Sequence, residues 1–358
     1  MQMNISKNQK YTYVLWSVLA WIAAMVFWSM IQLGEVSESN TGNSEQIELI
    51  SIVVTGVIFA INYLMISWII RRKSYFLNGL SYGGLVIIYS GLHFISLGIT
   101  ICIYTLFWDL FYQGADIQTL WAETYKFILS DNLLRIFLYT YTVSVLLFWT
   151  MLVSQRFGPG VLRDLILGAY RHPKDKEMIF LFMDLKSSTG YAERLGYQKY
   201  SRLIQDCFTD LTASVIATKA QIYQYVGDEV VLCWSYEQGI ESGNCVQAFF
   251  CFKETINQRK DYYLSQYGLV PQFKGGLNGG TLMTAEVGII KRSIAYHGDV
   301  INIASRIQHL CNTYNSELLI TEKLVDDLPQ QSHLRYEPII VRKLKGMQKM
   351  CSIYRIIR

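Results

Sequence analysis

Two aspartates stand where the chain could hold a cation. Asp184 closes an apolar run in IFLFMDLKSSTGYAERLG, residues 179–196, and Asp228 sits at the Gly-Asp turn of QIYQYVGDEVVLCW, residues 221–234. A strand ending in one carboxylate and a hairpin turning on another can bring both to one edge of a sheet, where the like charges repel unless a cation lies between them. All-oxygen ligation selects hard ions, magnesium or manganese. A Gly-Asp turn alone is common hairpin chemistry, so the pairing with Asp184 carries the reading.

Two further groups suit a phosphorylated ligand. Ser187, Ser188 and Thr189, followed by Gly190, fall where a helix begins and its backbone N–H groups face an anion; the same hydroxyls also serve as ordinary helix caps. Asn302 and Arg306, in YHGDVINIASRIQ at 296–308, are four apart and project from one helix face. A guanidinium forks onto phosphate oxygens and an amide can bind a sugar oxygen, while the same pair on a solvated face would do neither.

The elements that must position these residues read as follows. A strand is predicted at 177–184, a helix at 187–218, and a hairpin of strands 220–226 and 229–235 turning at Gly227 and Asp228. A helix at 240–264, strands at 271–278 and 284–288, and a strand leading to 296 come next. The chain closes with a helix at 299–312 and strands at 316–320, 334–341 and 350–357. Strand, helix, hairpin, helix, strand predicts a ferredoxin-like α+β fold, its helices covering one face of a mainly antiparallel sheet. In that order the first strand lies beside the hairpin, which is what Asp184 and Asp228 require.

The first half of the chain has another composition. Of 358 residues 51% are hydrophobic, and the excess is concentrated before residue 155. Segments 11–31, 49–70, 84–107 and 133–153 are each long enough to cross a hydrocarbon core, which takes about 20 apolar residues. Lys7, Lys10, Arg71, Arg72, Lys73, Arg156 and Arg163 flank them on one side, whereas loop 32–48 has four glutamates and no Lys or Arg. Basic loops stay in the cytoplasm, so both termini are expected to face inward. His93, Asp131 and Arg135 are the ionisable groups within or beside the spans, with Asp131 and Arg135 spaced to pair.

The expected domains are therefore a four-helix transmembrane domain at 1–153, a juxtamembrane linker at 154–175 and a cytoplasmic domain at 176–358. The linker breaks at Gly158, Pro159 and Gly160 and carries an apolar stripe, Val161, Leu162, Leu165, Ile166 and Ala169, which could pair with a second copy or pack locally. Six of the seven cysteines follow residue 176 at no metal-ligand spacing and read as free core thiols. A net charge of +4 is too small to argue for nucleic acid.

FMDLKSSTGYAERLG, YQYVGDEVVL and GDVINIASRIQ, in this order and at these separations, resemble the catalytic domain of the class III nucleotidyl cyclases, the adenylate and guanylate cyclases of membrane-bound bacterial type. The glycine-rich GGLNGGTLMTAEVG between the last two motifs resembles that family's strand pair. The resemblance covers about 176–357. It implies that Asp184 and Asp228 hold two magnesium or manganese ions per site with the backbone carbonyl of Leu185, and that Asn302 orients the ribose and Arg306 steadies the α-phosphate. Ser187, Ser188 and Thr189 would bind phosphate. Lys345, in RKLKGMQKM, would reach the terminal phosphates, with Lys343 and Lys349 as alternatives.

The resemblance further implies a homodimer in which the metal aspartates of one copy meet the Asn/Arg pair of the other, while the four spans and their basic loops predict a multi-pass protein of the cell inner membrane with a cytoplasmic catalytic domain. Its reaction would be conversion of ATP to cyclic AMP and pyrophosphate. Base recognition falls on Gln224 and Ala295, which match neither the adenylate nor the guanylate pattern, so Tyr296, His297 and Ser293 are alternatives to Ala295. GTP or a pyrimidine triphosphate as substrate, or a decayed membrane receptor, are the rival readings. The turn lacks the GGDEF pattern of diguanylate cyclases.

Overall fold

The computed structural model describes residues 7–33, 44–72, 82–111, 125, 131–157, 167–168, 172–290, 293–330, 334–343 and 350–358. They form two compact units, Lys7–Arg156 and Phe157–Arg358. Lys345, Lys349 and the stripe Val161, Leu162, Leu165, Ile166 and Ala169 lie outside the described residues.

The first unit consists of α1 (Lys7–Leu33), α2 (Ser44–Arg72), α3 (Tyr82–Phe111) and α4 (Asp131–Phe157). All four are long and apolar enough to cross a membrane. Their outward faces carry large apolar side chains such as Leu15, Phe27, Ile61 and Ile95, while Trp21, Phe59, Tyr63, Tyr89, Leu97 and Phe148 fill the interior. That pattern suits a hydrocarbon solvent. Gly56 brings α2 against α1, since a Cβ there would sit 3.0 Å from the Ile22 Cα; small residues at helix crossings are the usual route to close packing in membranes. His93 is fully buried and stacks on Tyr89 at a ring separation of 5.6 Å. Asp131 opens α4, where the helix dipole favours an acid.

The second unit is built on one sheet. Its elements run β1 (Lys174–Leu185), α5 (Ser188–Leu195), α6 (Tyr197–Ala217), β2 (Gln221–Val226), β3 (Glu229–Ser235), α7 (Tyr236–Ile240), α8 (Asn244–Gln258) and α9 (Lys260–Tyr267). There follow β4 (Phe273–Val287), β5 (Ser293–His297), α10 (Asp299–Thr313), β6 (Leu318–Thr321), α11 (Glu322–Asp327), β7 (Arg335–Lys343) and β8 (Met350–Ile357). The strand order is β2-β3-β1-β4-β6-β8-β7, with β5 hairpinned onto β4. Among the described pairings only β4 with β6 is parallel, as expected of a mainly antiparallel sheet.

Three departures from the sequence reading have physical causes. The helix expected over 187–218 is two helices, because Gly196 adopts φ 74 and turns the chain between them. The two strands expected at 271–278 and 284–288 are one, the 15-residue β4. Helices also cover both faces of the sheet rather than one. Odd-numbered residues of β1, Ile179, Leu181 and Met183, pack under α6 and α8 with Leu203, Leu211 and Phe249. Even-numbered Met178, Phe180 and Phe182 form a second core with Val300 and Ala304 of α10. The period-2 alternation of a strand makes that division.

The glycines of β4 serve this two-sided packing. A Cβ on Gly276 would lie 2.4 Å from the Gln308 backbone nitrogen and 2.5 Å from the Ala304 carbonyl oxygen. Helix α10 therefore rests directly on strand backbone. Gly276→Ala is expected to cost about 3 kcal/mol, since backbone must move to admit the methyl group. Gly190→Ala, at a helical site with nothing within 4 Å, should stabilise by about 0.5–1 kcal/mol. Thermal melting of the two variants checks the contrast, and equal shifts would contradict the close contact.

Candidate active site

Asp184 and Asp228 come together at one edge of the sheet. In the β1–β3 pairing Met183 lies opposite Val230, and continuing that register by one residue sets Asp184 opposite Glu229, beside the turn that holds Asp228. Asp184 acts on Asp228 both through its charge and through a side-chain hydrogen bond. Burial, with the charge of Asp184, pushes the Asp228 carboxyl up, against a hydrogen bond from Ser188 that holds it down. Asp228 Oδ2 is buried with no hydrogen-bond partner. A buried, orphaned oxygen on a carboxylate that neighbours a second one is what a divalent cation would satisfy.

The surroundings add groups that the sequence motifs had not marked. Glu229 is half-buried, and burial together with the charges of Asp184 and Asp228 raises its pKa to about 7. Tyr200, from α6, is raised to about 12, first by burial and then by Asp228, and it shares the Ser188 hydroxyl. On the far side of Asp184, Lys274 Nζ and Gln308 Nε2 both approach Oδ2 at 3.2 Å. Lys274 is its cross-strand partner on β4, and Gln308 reaches over from α10. Among the described residues no group of three or more His, Cys, Asp or Glu forms a closed cage. Two carboxylates, with the Leu185 carbonyl next in sequence to Asp184, would suit an open site of the kind magnesium occupies when phosphate oxygens and water supply the rest.

The loop after Asp184 is shaped by Ser187, which takes a left-handed conformation at φ 60 and ψ 33 and makes no side-chain cap. The capping alternative for that hydroxyl is thus not used. Ser188 is instead hydrogen-bonded toward Asp228 and Tyr200. Ser188 and Thr189, with Tyr197, Tyr200 and Asp228, line a cavity of about 620 Å³. A second cavity of about 440 Å³, lined by Lys253, Arg355 and Arg358 among others, shares none of these residues.

The remaining candidates sit elsewhere on the unit. Asn302 is exposed on α10, its amide 3.5 Å from the Gly298 carbonyl, and Arg306 is partly exposed four residues on. The buried stripe of that helix is Val300, Ala304, Ile307, Gln308 and Cys311, so Asn302 and Arg306 belong to the face turned from the sheet. Gln224 is exposed on β2, next to an irregularity where Ile222 pairs with Leu232 but Gln224 with Val231. The extra residue puts Tyr223 and Gln224 on the same face as Phe180 and Asp184. Tyr223, Phe180 and Tyr296 interlock there at ring separations of 4.9–6.2 Å. Ala295, paired with Ala285 on β5, alternates with Tyr296 and so lies on the opposite face from Gln224; Tyr296 shares its face.

Comparison with known proteins gives a consistent picture. The model of the adenylate and guanylate cyclase catalytic domain matches residues 170–356. Adenylate cyclase 2 of Rhizobium meliloti (strain 1021) is 29% identical over 257 residues, 71% of this chain and 71% of that protein. That alignment is longer than the family match and so reaches into the four-helix half. An adenylate cyclase of Anabaena cylindrica is 26% identical over 191 residues, 51% of this chain and only 37% of that protein. Among solved structures, a bacterial light-regulated adenylyl cyclase superposes with a TM-score of 0.52 at 17% identity, over 61% of this chain and 63% of that one, a likeness of fold alone.

Glu229 offers a test of the crowding of charge at this edge. Its pKa is raised in the folded state, so its contribution to stability is fully present below about pH 4.5 and is lost as pH rises through about 7. Glu229→Gln should flatten the fall in melting temperature between pH 5 and pH 8 in metal-free protein. An unchanged slope would mean that Glu229 does not feel the two aspartates.

Proposed function

The chain belongs to the adenylate and guanylate cyclase catalytic domain family, and from that premise we propose that it is a membrane-bound nucleotidyl cyclase converting ATP to 3′,5′-cyclic AMP and pyrophosphate at sites shared across a homodimer. The observation that carries this reading is the meeting of Asp184 and Asp228 around a buried, unpartnered carboxylate oxygen.

Residue roles follow from chemistry and position. Asp184, Asp228 and the Leu185 carbonyl would hold two magnesium or manganese ions. When bound, such ions lower the pKa of the ribose 3′-hydroxyl and neutralise the triphosphate. The N–H groups and hydroxyls of Ser187, Ser188 and Thr189, beside the cavity that the latter two help to line, bind phosphate oxygens. Lys345 is the proposed partner of the terminal phosphates. The 3′-hydroxyl releases its proton to solvent and its oxygen attacks the α-phosphorus; a new P–O bond closes the ring, and the bond to the pyrophosphate oxygen breaks with its electron pair leaving on pyrophosphate. Arg306 faces the charge that builds on the α-phosphate, and Asn302 fixes the ribose so that attack is in line. No side chain is assigned as the base.

The exposed setting of Asn302 and Arg306, away from their own chain's aspartates, supports a site completed by a second copy. Two-fold symmetry then yields two equivalent sites, and a monomer has none. Gln224 donates and accepts and can read an adenine edge. Ala295 offers only a methyl group, so the aromatic surface of Tyr296 is the better candidate for contact with the base. The four apolar helices and the one-sided basic loops support a multi-pass protein of the cell inner membrane with the catalytic unit inside. Nucleic acid has no part in this reading.

Two measurements test it. Purified full-length protein with manganese, offered each of the four common nucleoside triphosphates, should form cyclic AMP at least about ten times faster than any other cyclic nucleotide, a margin that one well-placed hydrogen-bonding site supplies. Faster turnover of GTP or a pyrimidine nucleotide would move the base assignment and leave the reaction, whereas no product from any of them would favour a receptor without catalysis. Asp228→Ala and Arg306→Ala should each abolish turnover, and mixing them should restore about a quarter to a half of the activity through one repaired site per heterodimer. Heterodimers that form without recovering activity would defeat the shared site.

A further inference from the structure

We propose that Gln308 is a positioning residue for the cation site, acting with Lys274 to tie up one oxygen of Asp184 so that the other is left for the ion; this rests on the assignment of Asp184 as a metal ligand. The geometry behind it is specific. Gln308 is fully buried, and it is the one amide in an α10 stripe otherwise made of Val300, Ala304, Ile307 and Cys311. A polar side chain in such a stripe needs a partner. Its Nε2 has one, Asp184 Oδ2 at 3.2 Å, while its Oε1 is buried without any. Packing alone gives no reason to place an amide here at the expense of an unsatisfied oxygen.

Lys274 Nζ meets the same Oδ2 at 3.2 Å and also lies 3.4 Å from Asn312 Oδ1. One oxygen of Asp184 therefore carries both donors, which fixes the rotation of the carboxylate and leaves Oδ1 clear of them. The reach of Gln308 depends on the absent side chain of Gly276, which lets the helix come within a backbone's width of the sheet. The same helix thus presents Asn302 and Arg306 outward and holds its own chain's Asp184 from behind. Groups that orient a metal ligand in this way commonly set affinity by 10–100-fold.

The test is manganese binding to the full chain in detergent, without nucleotide, followed by electron paramagnetic resonance, alongside melting temperature and steady-state kinetics. Gln308→Met keeps length and volume but cannot donate; Gln308→Asn keeps the amide but falls short of Asp184. Both should weaken manganese binding by about 10–100-fold and lower kcat with little change in KM measured at saturating metal. Ile307→Val, in the same buried stripe, is the packing control and should leave the manganese Kd unchanged. Asp184→Asn separates the two levels of the argument. Loss of manganese binding in Asp184→Asn with an unchanged Kd in both Gln308 variants would overturn the role of Gln308 alone. Unchanged binding in Asp184→Asn would overturn the metal assignment and the positioning role with it. Equal weakening by Ile307→Val would reduce the effect to packing and also overturn it.

Discussion

Mutual repulsion between two carboxylates is the constraint around which the catalytic unit is arranged. Asp184 arrives at the end of a strand whose buried residues are anchored on both faces, and Asp228 arrives on a tight turn between two paired strands. Neither can retreat without unpairing backbone. The cost is visible in the pKa of Asp228 and of Glu229, both raised first by burial and further by the neighbouring carboxylate charges, and it is offset only in part by the Ser188 hydroxyl and the Lys274 ammonium. A fold that holds like charges together in a half-buried place keeps an unfavourable field ready for something positive. Functional sites are where such arrangements concentrate.

Much of this was legible in the sequence. The apolar run into Asp184 and the Gly-Asp turn fixed two strands and their adjacency, and the four-residue spacing of Asn302 and Arg306 fixed a shared helix face. The four long apolar helices could be read from composition alone, because hydrocarbon imposes length and polarity more strictly than any packed core. Family membership followed from three ordered motifs.

Other features were not legible, for reasons of distance and register. Lys274 and Gln308 reach Asp184 across 90 and 124 residues of chain, and no local pattern announces a contact set by strand pairing and by where a helix lands. Gln308 did leave a trace, an amide inside an apolar stripe. The gap left between the strands expected at 271–278 and 284–288 is itself strand: the glycines of this run lie inside β4, where Gly276 admits α10 on one face and Gly275 admits Leu181 and Phe249 on the other. Ala295 illustrates the parity of strands, since a single step along β5 exchanges the face it occupies with that of Tyr296.

Helix α10 bears on Gly276 through main-chain atoms rather than through interdigitated side chains, and that has a mechanical consequence. Side-chain layers can repack and let a helix creep along a sheet; a seat made of peptide groups has no such play. At that seat a slide of α10 along β4 would drive the Ala304 carbonyl and the Gln308 backbone against strand backbone. On the shared-site reading, a seat of this kind suits control through how two copies of the catalytic unit approach one another.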